Sequence, residues 1–337
     1  MGDYALRVKD LDVHYYTDAG IVKAANKVTF DLKPGERLGL VGESGSGKST
    51  LALAILRMIK PPGRIAGGEI LLGDTDLTKL SDEEMRQMRA SQISMVPQGA
   101  MNSLNPVMRI KDQIIDSMID HNLSLSKSAM EERARDALEA VELDPKIGNM
   151  YPHQLSGGMK QRACIAISIA MHPQVIIADE PTSALDVVTQ RQVMQTIQRL
   201  QEQMGSAVIL IGHDMGLMAQ FVNRMAVMYA GSLAELGTIQ DTFTRPLHPY
   251  TEMLIDSLPV LGKRGVFKGI PGITPLLRDL PPGCVFNTRC PKVMSVCKQQ
   301  TPILKEYGRE HWAACHLHET SEVGSERQRS TDKVAGR

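Results

Sequence analysis

Residues 42–50 have the composition and spacing of a loop that binds the phosphates of a nucleotide. Gly42, Gly47, Lys48 and Ser49 follow the P-loop pattern, in which four residues separate the two glycines. The glycines let backbone N–H groups converge on phosphate oxygens, the lysine reaches the β- and γ-phosphates, and the serine brings a hydroxyl to Mg²⁺. The predicted ATP-binding residues of this loop are Gly42, Ser44, Gly45, Ser46, Gly47, Lys48, Ser49 and Thr50.

Two adjacent carboxylates, Asp179 and Glu180, come directly after an apolar run at residues 175–178. A short, continuous apolar run is typical of a buried strand in a parallel sheet. A carboxylate at the end of such a strand holds Mg²⁺ in nucleotide-hydrolysing sites, so Asp179 is expected to bind the metal through water. Ser49 and Gln98 are the other predicted contacts to Mg²⁺.

Glu180 is the predicted general base, because a carboxylate in this position can polarise an attacking water. His213 follows a second apolar run, residues 208–211, so both side chains are expected at the same end of one sheet. There the imidazole could contact the γ-phosphate and orient the water, and Gln98 could reach the water and the metal. The sequence therefore predicts a catalytic set of Glu180, His213 and Gln98.

A second feature suited to phosphate lies at residues 155–162, which read Leu-Ser-Gly-Gly-Met-Lys-Gln-Arg. It is a backbone-rich turn that leads into a helix, and the N-terminus of a helix favours an anion. This turn is therefore expected to hold a phosphate.

Strands that alternate with helices must position these groups, and the pattern indicates an α/β core. Residues 5–40 alternate in a strand-like way up to a turn at residues 33–36, and Arg37–Val41 is a short apolar strand that leads into the phosphate loop. A helix is expected from residue 49 to residue 58. A helical insert is expected over roughly residues 100–170.

The overall composition restricts the class of protein. The chain has 337 residues with 38 Lys+Arg and 38 Asp+Glu, a balance that argues against a general nucleic-acid binder. No run of 18 or more apolar residues is present, and the first residues lack the apolar segment of a signal peptide. We therefore expect a cytoplasmic protein without a membrane span, whose five cysteines serve metal binding or packing rather than disulfides.

In their order and spacing, these motifs resemble one family closely, the nucleotide-binding subunits of ABC transporters. The resemblance covers roughly residues 5–258 and implies a P-loop ABC cassette with a mixed-sheet core, an antiparallel β subdomain and a helical subdomain. It rests on the phosphate loop as Walker A, Gln98 as the Q-loop, residues 155–162 as the signature, Asp179 and Glu180 as Walker B, residues 183–186 as the D-loop and His213 as the switch histidine.

In that family two cassettes stack head to tail, and each ATP lies between the Walker A loop of one subunit and the signature of the other. The resemblance therefore implies a second ATPase subunit, either a paralogue or another copy. It assigns the signature residues to an ATP bound mainly by the partner, and these are Ser156, Gly157, Gly158 and Gln161. An aromatic residue upstream usually stacks on adenine. Tyr15 fits that position best, although Tyr16 is adjacent. Gly99 departs from the common acidic residue after the Q-loop glutamine, and no loss of hydrolysis is expected from it.

Four of the five cysteines lie in a late part of the chain: Cys284, Cys290, Cys297 and Cys315. From the residues alone they could be unpaired thiols, a zinc site or the ligands of an iron–sulfur cluster, since four thiolates suit either metal option. The fifth, Cys164, lies in an apolar helix and is expected to be a small buried hydrophobe.

This late part of the chain resembles the C-terminal extension of the oligopeptide/dipeptide importer ATPases, on the basis of residues 248–251 and the surroundings of the cysteines. Some members carry a 4Fe–4S cluster there, so the resemblance implies a cluster on Cys284, Cys290, Cys297 and Cys315. The expected organisation is a nucleotide-binding domain at 1–258, a cysteine-rich extension at 259–318 and a disordered tail at 319–337.

The resemblance implies an ATP-hydrolysing subunit that drives uptake of di- or oligopeptides, located peripherally on the cytoplasmic face of the inner membrane. Its partners would be the second ATPase subunit, two transmembrane permeases and an extracytoplasmic solute-binding protein. Nickel, oligosaccharides and glutathione are alternative cargoes, because relatives in this branch import them and the cassette does not touch the cargo. A soluble ABC ATPase acting on ribosomes or DNA is a further alternative, against which the single Walker A motif and the near-zero net charge argue. A non-hydrolysing regulatory module would be expected to lack Glu180 or His213, and both are present.

Overall fold

The computed structural model describes residues 3–99, 103–121, 123–183, 185–258 and 269–319. These residues form a mixed β-sheet, an antiparallel sheet beside it, and helices packed against them. The strands are β1 (Leu6–Thr17), β2 (Gly20–Leu32), β3 (Arg37–Val41), β4 (Gly63–Leu72), β5 (Thr75–Asp76), β6 (Ile93–Val96), β7 (Val175–Asp179), β8 (Ala207–Gly212), β9 (Arg224–Tyr229), β10 (Ser232–Thr238), β11 (Lys305–Gly308) and β12 (His311–Ala313). The helices are α1 (Lys48–Ile55), α2 (Asp82–Met88), α3 (Ile110–Asp120), α4 (Lys127–Ala140), α5 (Gly157–Ile169), α6 (Val187–Met204), α7 (Met215–Met218), α8 (Ile239–Thr244) and α9 (Pro249–Asp256).

The mixed sheet has the strand order β11-β12-β10-β9-β3-β8-β7-β6, and the five strands from β9 to β6 in that order are parallel. Because parallel strands share one carboxyl edge, the segments that follow β3, β7 and β8 meet there. The phosphate loop follows β3, Glu180 follows β7, and His213 follows β8. The predicted α/β core is confirmed, and its topology explains why motifs far apart in sequence converge.

Each face of the mixed sheet packs against its own hydrophobic core, which is why its central strands are apolar throughout. Ile176 and Ala178 of β7 join the core that also contains α3 to α6, while Val175 and Ile177 join the core that contains α1 and the antiparallel sheet. This alternation follows from the period of two in a strand. The antiparallel sheet, of order β2-β1-β4-β5, confirms the predicted antiparallel subdomain.

The helical subdomain is confirmed as α3, α4 and the beginning of α5, packed on one another. Ser126 caps α4 by accepting a hydrogen bond from the N–H of Ala129, a common way to satisfy the first turn of a helix. The helix after the phosphate loop ends at Ile55 rather than at residue 58. It stops because Arg57 adopts a left-handed conformation, with φ of 50°, which cannot continue an α-helix.

The C-terminal extension continues the mixed sheet. β12 pairs antiparallel with β10 and β11 pairs with β12, so the extension covers a sheet edge that would otherwise be open. The fully buried carboxylate of Glu235 on β10 accepts hydrogen bonds from the backbone N–H groups of Leu247 and His248 and from Nε2 of His311 on β12, at 2.7–3.0 Å. This buried network fastens the extension to the cassette.

The predicted domain limits and the disordered tail remain predictions, because residues 259–268 and 320–337 lie outside the described residues. None of the helices in the described ranges is long and apolar enough to cross a membrane.

Candidate functional site

The phosphate loop makes a tight turn that depends on glycine. Gly42 and Gly47 have φ values of 151° and 102°, which residues with a side chain rarely adopt. A Cβ on Gly42 would lie 2.2 Å from the carbonyl oxygen of Met228, and one on Gly47 would lie 2.1 Å from that of Ala24. α1 begins at Lys48 with neither a side-chain cap nor an acidic residue in its first turn. Its first N–H groups are thereby left for an anion such as phosphate.

The other predicted residues of the loop differ in exposure. Ser44 and Gly45 lie at its exposed tip, Ser46 is fully buried, and Ser49 and Thr50 are half-buried at the start of α1. Gly45 also has a left-handed backbone, with φ of 77°, and nothing lies within 4 Å of where its Cβ would be. The tip of the loop is therefore open to a ligand.

Lys48 is held inside the loop. Its Nζ donates hydrogen bonds to the carbonyl oxygens of Gly42 and Glu43, both at 2.9 Å, and to Oγ of Ser46 at 3.3 Å. Burial lowers the pKa of this ammonium, and the charges of Glu180 and Asp179 at the carboxyl end of β7 oppose that shift. The lysine and those carboxylates therefore share one electrostatic environment, as a site for a metal-bound triphosphate requires.

Asp179 has a buried carboxylate whose surroundings suit a metal ion. Its residue exposure is 2%, Ser49 hydrogen-bonds to its carboxylate, and Oδ1 has no hydrogen-bond partner within the described ranges. Burial raises the pKa of this carboxyl, and the hydrogen bond from Ser49 opposes the rise. A buried carboxylate oxygen without a partner, next to a hydroxyl, is an arrangement that a hard cation completes. These residues fit Mg²⁺.

The three predicted catalytic residues meet at Glu180. Nε2 of Gln98 donates to Oε2 of Glu180 at 2.9 Å, and Nδ1 of His213 lies 3.6 Å from Oε1. Glu180 has an unusual φ of 44°, and its N–H is anchored to the carbonyl oxygen of Ile211 at 2.9 Å. Such backbone strain is typical of functional sites. The His213 side chain is 74% exposed and accessible to a bound phosphate.

The signature turn begins α5 in an exposed position. Ser156 is the N-cap of α5 and accepts a hydrogen bond from the N–H of Met159, while Gly157 beside it is exposed. Gly158 faces α6, where an added Cβ would come within 2.9 Å of Cγ2 of Thr189. These residues line a cavity of about 570 Å³ together with Leu185 and Asp186 of the D-loop, and no residue of the phosphate loop is in its lining.

Two further predictions concern residues at the edge of the site. Gln161 is buried, with 3% exposure, and its Nε2 has no hydrogen-bond partner in the described part of the chain, so it does not reach the open surface of the signature. Tyr15 is half-buried against Gly63, whereas Tyr16 is exposed and the guanidinium of Arg64 covers its ring at 4.1 Å. The adenine-stacking role of Tyr15 stays a prediction.

The four late cysteines come together in the extension. Cys284, Cys297 and Cys315 are buried, Cys290 is half-buried, and the N–H of Cys284 donates to the carbonyl oxygen of Cys297 at 2.8 Å. Burial raises the pKa of Cys315 to about 12 and that of Cys284 to about 11, with smaller contributions from the neighbouring cysteines.

The iron–sulfur prediction receives no support from this arrangement. Over the described ranges, no group of three or more His, Cys, Asp or Glu residues is placed to hold a metal ion. The four-cysteine ligand set therefore does not fit a single ion such as zinc as it stands, and the cluster remains a prediction. Cys164 is buried, as expected for a residue used in packing.

Sequence reasoning missed a link between the phosphate loop and the extension. Arg289, next to Cys290, forms an ion pair with Glu43 of the phosphate loop, and the hydroxyl of Tyr250 accepts a hydrogen bond from the N–H of Glu43. The available signal was weak: Tyr250 and Arg289 stand in segments that carry the resemblance to importer ATPases, but nothing in the sequence indicates their contact. A cavity of about 1030 Å³ between the antiparallel sheet and the extension was also unexpected, and no ATP motif lines it.

Comparison with known proteins agrees with the geometry. Residues 25–183 match the family model described as ABC transporter, and residues 234–297 match the model described as oligopeptide/dipeptide transporter, C-terminal region. The chain is 42% identical to a probable peptide ABC transporter ATP-binding protein of Sinorhizobium fredii, over 93% of this chain and 95% of the relative. It is 41% identical to the oligopeptide transport ATP-binding protein OppD of Escherichia coli, over 93% of each.

Solved structures show the same cassette. A dimeric ATP-binding cassette in a post-hydrolysis state, bound to ADP and Pi, superposes with a TM-score of 0.63 at 30% identity. The match covers 69% of this chain and 98% of that cassette.

Proposed function

Because the chain belongs to the family of ATP-binding subunits of oligopeptide and dipeptide ABC transporters, we propose that it hydrolyses ATP to drive peptide uptake across the cytoplasmic membrane. The observation that carries the proposal is the contact of Gln98 and His213 with Glu180, next to a phosphate loop and to an oxygen of Asp179 that has no hydrogen-bond partner among the described residues. The peptide cargo rests on the relatives, since the site binds nucleotide and not cargo.

The chemistry follows from the positions of these groups. The phosphate loop and the N-terminus of α1 bind the phosphates, and Lys48 turns its ammonium from the loop carbonyls towards the β- and γ-phosphates. Glu180 accepts a proton from the attacking water, and Gln98 and His213 orient that water from either side of the carboxylate. Mg²⁺ held by Ser49, Asp179 and Gln98 would neutralise phosphate charge.

A second ATPase subunit completes the site in this proposal. The signature residues Ser156 and Gly157 are exposed and lie in a cavity that the phosphate loop of the same chain does not line, so they are available to a nucleotide on a partner. The D-loop leads into α6, where Val187 and Val188 are 80% and 68% exposed. Two exposed valines beside this cavity favour a protein surface that a partner covers.

Permeases supply the membrane-spanning part in this proposal. A groove of about 380 Å³ lies between the core and the helical subdomain, and it is partly lined by Pro97, directly before Gln98. A short helix of a permease bound in this groove would be coupled to the catalytic site through the Q-loop. The groove is rich in apolar side chains, which include Leu56, Met58, Met95, Leu104, Met108 and Ile167. The chain would then sit peripherally on the cytoplasmic face, with an extracytoplasmic binding protein delivering the cargo to two permeases.

The test is to purify the chain in mild detergent from its native membranes and identify its partners by mass spectrometry. Two multi-span permeases and a second cassette would support the importer, and the accompanying binding protein would show whether the cargo is a peptide, nickel, an oligosaccharide or glutathione. Ribosomal or DNA-bound partners without a permease would overturn the transport function and leave the ATPase chemistry intact.

We also propose that Cys284, Cys290, Cys297 and Cys315 bind a 4Fe–4S cluster. The proposal rests on the number and type of these residues, because four cysteine thiolates are the ligand set of such a cluster. Iron and acid-labile sulfide in anaerobically purified protein are the expected result. Zinc, or no metal, would exclude the cluster.

A further inference from the structure

The strongest link between the extension and the nucleotide site is the side chain of Arg289. Its guanidinium is 3% exposed and forms a two-pronged ion pair with Glu43, with Nη1 to Oε2 at 2.7 Å and Nη2 to Oε1 at 2.9 Å. The same guanidinium also donates to the hydroxyls of Thr274 and Tyr229 and to the carbonyl oxygens of residues 270 and 271, with the hydrogens of Nη1 shared among three acceptors. A two-pronged ion pair between a guanidinium and a carboxylate is a strong interaction, and it fixes the orientation of the two groups relative to each other.

Glu43 connects three parts of the molecule. Its side chain binds Arg289, its N–H donates to the hydroxyl of the fully buried Tyr250, and its carbonyl oxygen accepts a hydrogen bond from Lys48. Burial works to raise the pKa of Glu43, but the hydrogen bonds from Arg289 and Thr274 outweigh it and the pKa is lowered. The carboxylate is therefore charged at neutral pH, within the loop that must accept a triphosphate.

We propose that Arg289 is a positioning residue of the ATP site, through which the C-terminal extension sets the affinity of the phosphate loop for nucleotide. It holds the loop in its binding conformation before nucleotide arrives, and it neutralises a carboxylate that would otherwise repel the phosphates. Both effects favour binding. The proposal rests on nucleotide binding by the chain and not on the identity of the cargo.

The backbone around residue 289 connects Arg289 to the cysteines of the extension. Arg289 immediately precedes Cys290, and the N–H groups of both donate to the carbonyl oxygen of Phe286 at 3.0 Å. Phe286 packs in turn against Tyr229 and Tyr250, with ring centroids 5.0 and 5.3 Å apart. A change at the cysteines that displaces Arg289 would therefore alter the conformation of the phosphate loop.

The test measures the dissociation constant for a fluorescent ADP analogue with Mg²⁺, using the purified full chain. Arg289→Gln leaves Glu43 unpaired and should weaken binding at least about fivefold, the lower end of a typical coupling between sites. Glu43→Gln removes the repelling charge as well as the pair, so it should weaken binding less. In the double variant, Glu43→Gln should restore part of the affinity that Arg289→Gln loses. Arg278→Gln is the matched control, because Arg278 lies in the same extension and pairs with the exposed Asp279.

A purely structural role for Arg289 would give a different pattern. Arg289→Gln would then lower the melting temperature while the folded protein kept an unchanged dissociation constant, and that result would overturn the proposal. If Arg289→Gln does not fold, Thr274→Val decides, because Thr274 lies in the extension and its hydroxyl hydrogen-bonds to both Arg289 and Glu43. Weaker nucleotide binding by Thr274→Val supports the proposal and unchanged binding refutes it. Loss of peptide uptake with normal nucleotide affinity would bear on the proposed function alone.

Discussion

At the scale of single residues, the hydrolytic site is organised around the carboxylate of Glu180. The sheet holds its backbone in a strained conformation, Gln98 donates to one carboxylate oxygen, and His213 lies near the other. A carboxylate in this position can accept a proton from water without leaving its partners. The identity of Glu180 as general base is accordingly the most direct claim at this scale.

Replacing Glu180 by Gln should abolish turnover and spare nucleotide binding. The amide keeps the shape and one acceptor but cannot take a proton, so ATP hydrolysis should fall about 100-fold or more, in the range of general-base contributions. Steady-state phosphate release and a nucleotide-binding titration measure the two properties separately. Glu132→Gln, on the exposed face of α4, is the control. A variant that retains a tenth or more of the wild-type rate would show that another group is the base.

His248 should make the stability of the protein depend on mildly acidic pH. Burial lowers its pKa to about 4, against the pull of Glu235, while the charge of His318 adds to the lowering. Above about pH 6.5 both folded and unfolded chains hold the neutral ring; between pH 6.5 and 4 only the unfolded chain binds the proton, so stability falls by up to about 3 kcal/mol.

Chemical denaturation at pH 7 and at pH 4.5 measures this dependence of stability on His248. The matched variant is His248→Asn, because asparagine can still accept the hydrogen bond from the N–H of Tyr250 that His248 Nδ1 accepts at 3.0 Å. The variant should lose less stability between the two pH values than the wild type does. Equal losses would mean that His248 titrates normally in the folded protein.

Residue types and spacing were sufficient to predict that Glu180 and His213 lie together, because each follows an apolar run and parallel strands share one carboxyl edge, whereas Gln98 on its own carries no such signal. They were insufficient for Arg289 and Gln161. The first makes a contact across 246 residues of sequence, which no local pattern encodes. The second stands within a motif, yet its side chain turns into the core.

At the scale of elements, the contact of α5 with α6 explains the second glycine of the signature. Gly158 faces Cγ2 of Thr189, and Thr189 is itself fixed by a hydrogen bond from Oγ1 to Asp186 at 2.7 Å. The start of α5 therefore packs closely on the D-loop end of α6. Residues of both helices line the same cavity as the signature residues.

Gly158→Ala should place its new methyl group against Thr189, which opposes the gain in helix propensity. Thr189→Ser removes the clashing methyl and keeps the hydroxyl. Serine at 189 should therefore increase the free energy of unfolding of the Gly158→Ala variant by about 1 kcal/mol more than it does in the wild type. Additive effects in this double-mutant cycle would contradict the contact.

Val188→Asp should prevent ATP-dependent association of two cassettes, because it places a charge on an apolar surface that the proposed partner covers. In the Glu180→Gln background, which retains ATP, light scattering should show dimers for the parent and monomers for the variant. Ile303→Asp, at an equally exposed apolar residue in the extension, should leave the dimer intact. Dimers of unchanged stability with Val188→Asp would place the interface elsewhere.

Elements with strong local patterns were predictable, and the others were not. The apolar strands β3, β7 and β8 and the capped helices follow from periodicity and end signals. β11 and β12 are four and three residues long, mostly polar in the first case, and acquire strand structure by pairing with the edge of an existing sheet. The early end of α1 depends on the conformation of Arg57, which the sequence does not reveal.

At the scale of the whole molecule, the cassette and its extension share one sheet, and a buried carboxylate and an ion pair connect them at two separate places. Glu235 binds His311 at the sheet edge, and Glu43 binds Arg289 at the phosphate loop. The extension is therefore placed to influence the ATP site of the cassette, because it is attached to the cassette at both places. The central claim at this scale is that ATP turnover in this chain drives uptake of peptides.

This claim is tested most directly by measuring uptake of radiolabelled di- and oligopeptides. The cells are those of the source organism, with this chain replaced by its Glu180→Gln variant. We expect that peptide uptake is lost, that uptake of nickel and of oligosaccharides is unchanged, and that cells with Glu132→Gln behave as wild type. Normal peptide uptake in the Glu180→Gln cells would show that ATP turnover in this chain does not drive peptide uptake, whatever the ATPase activity of the purified protein.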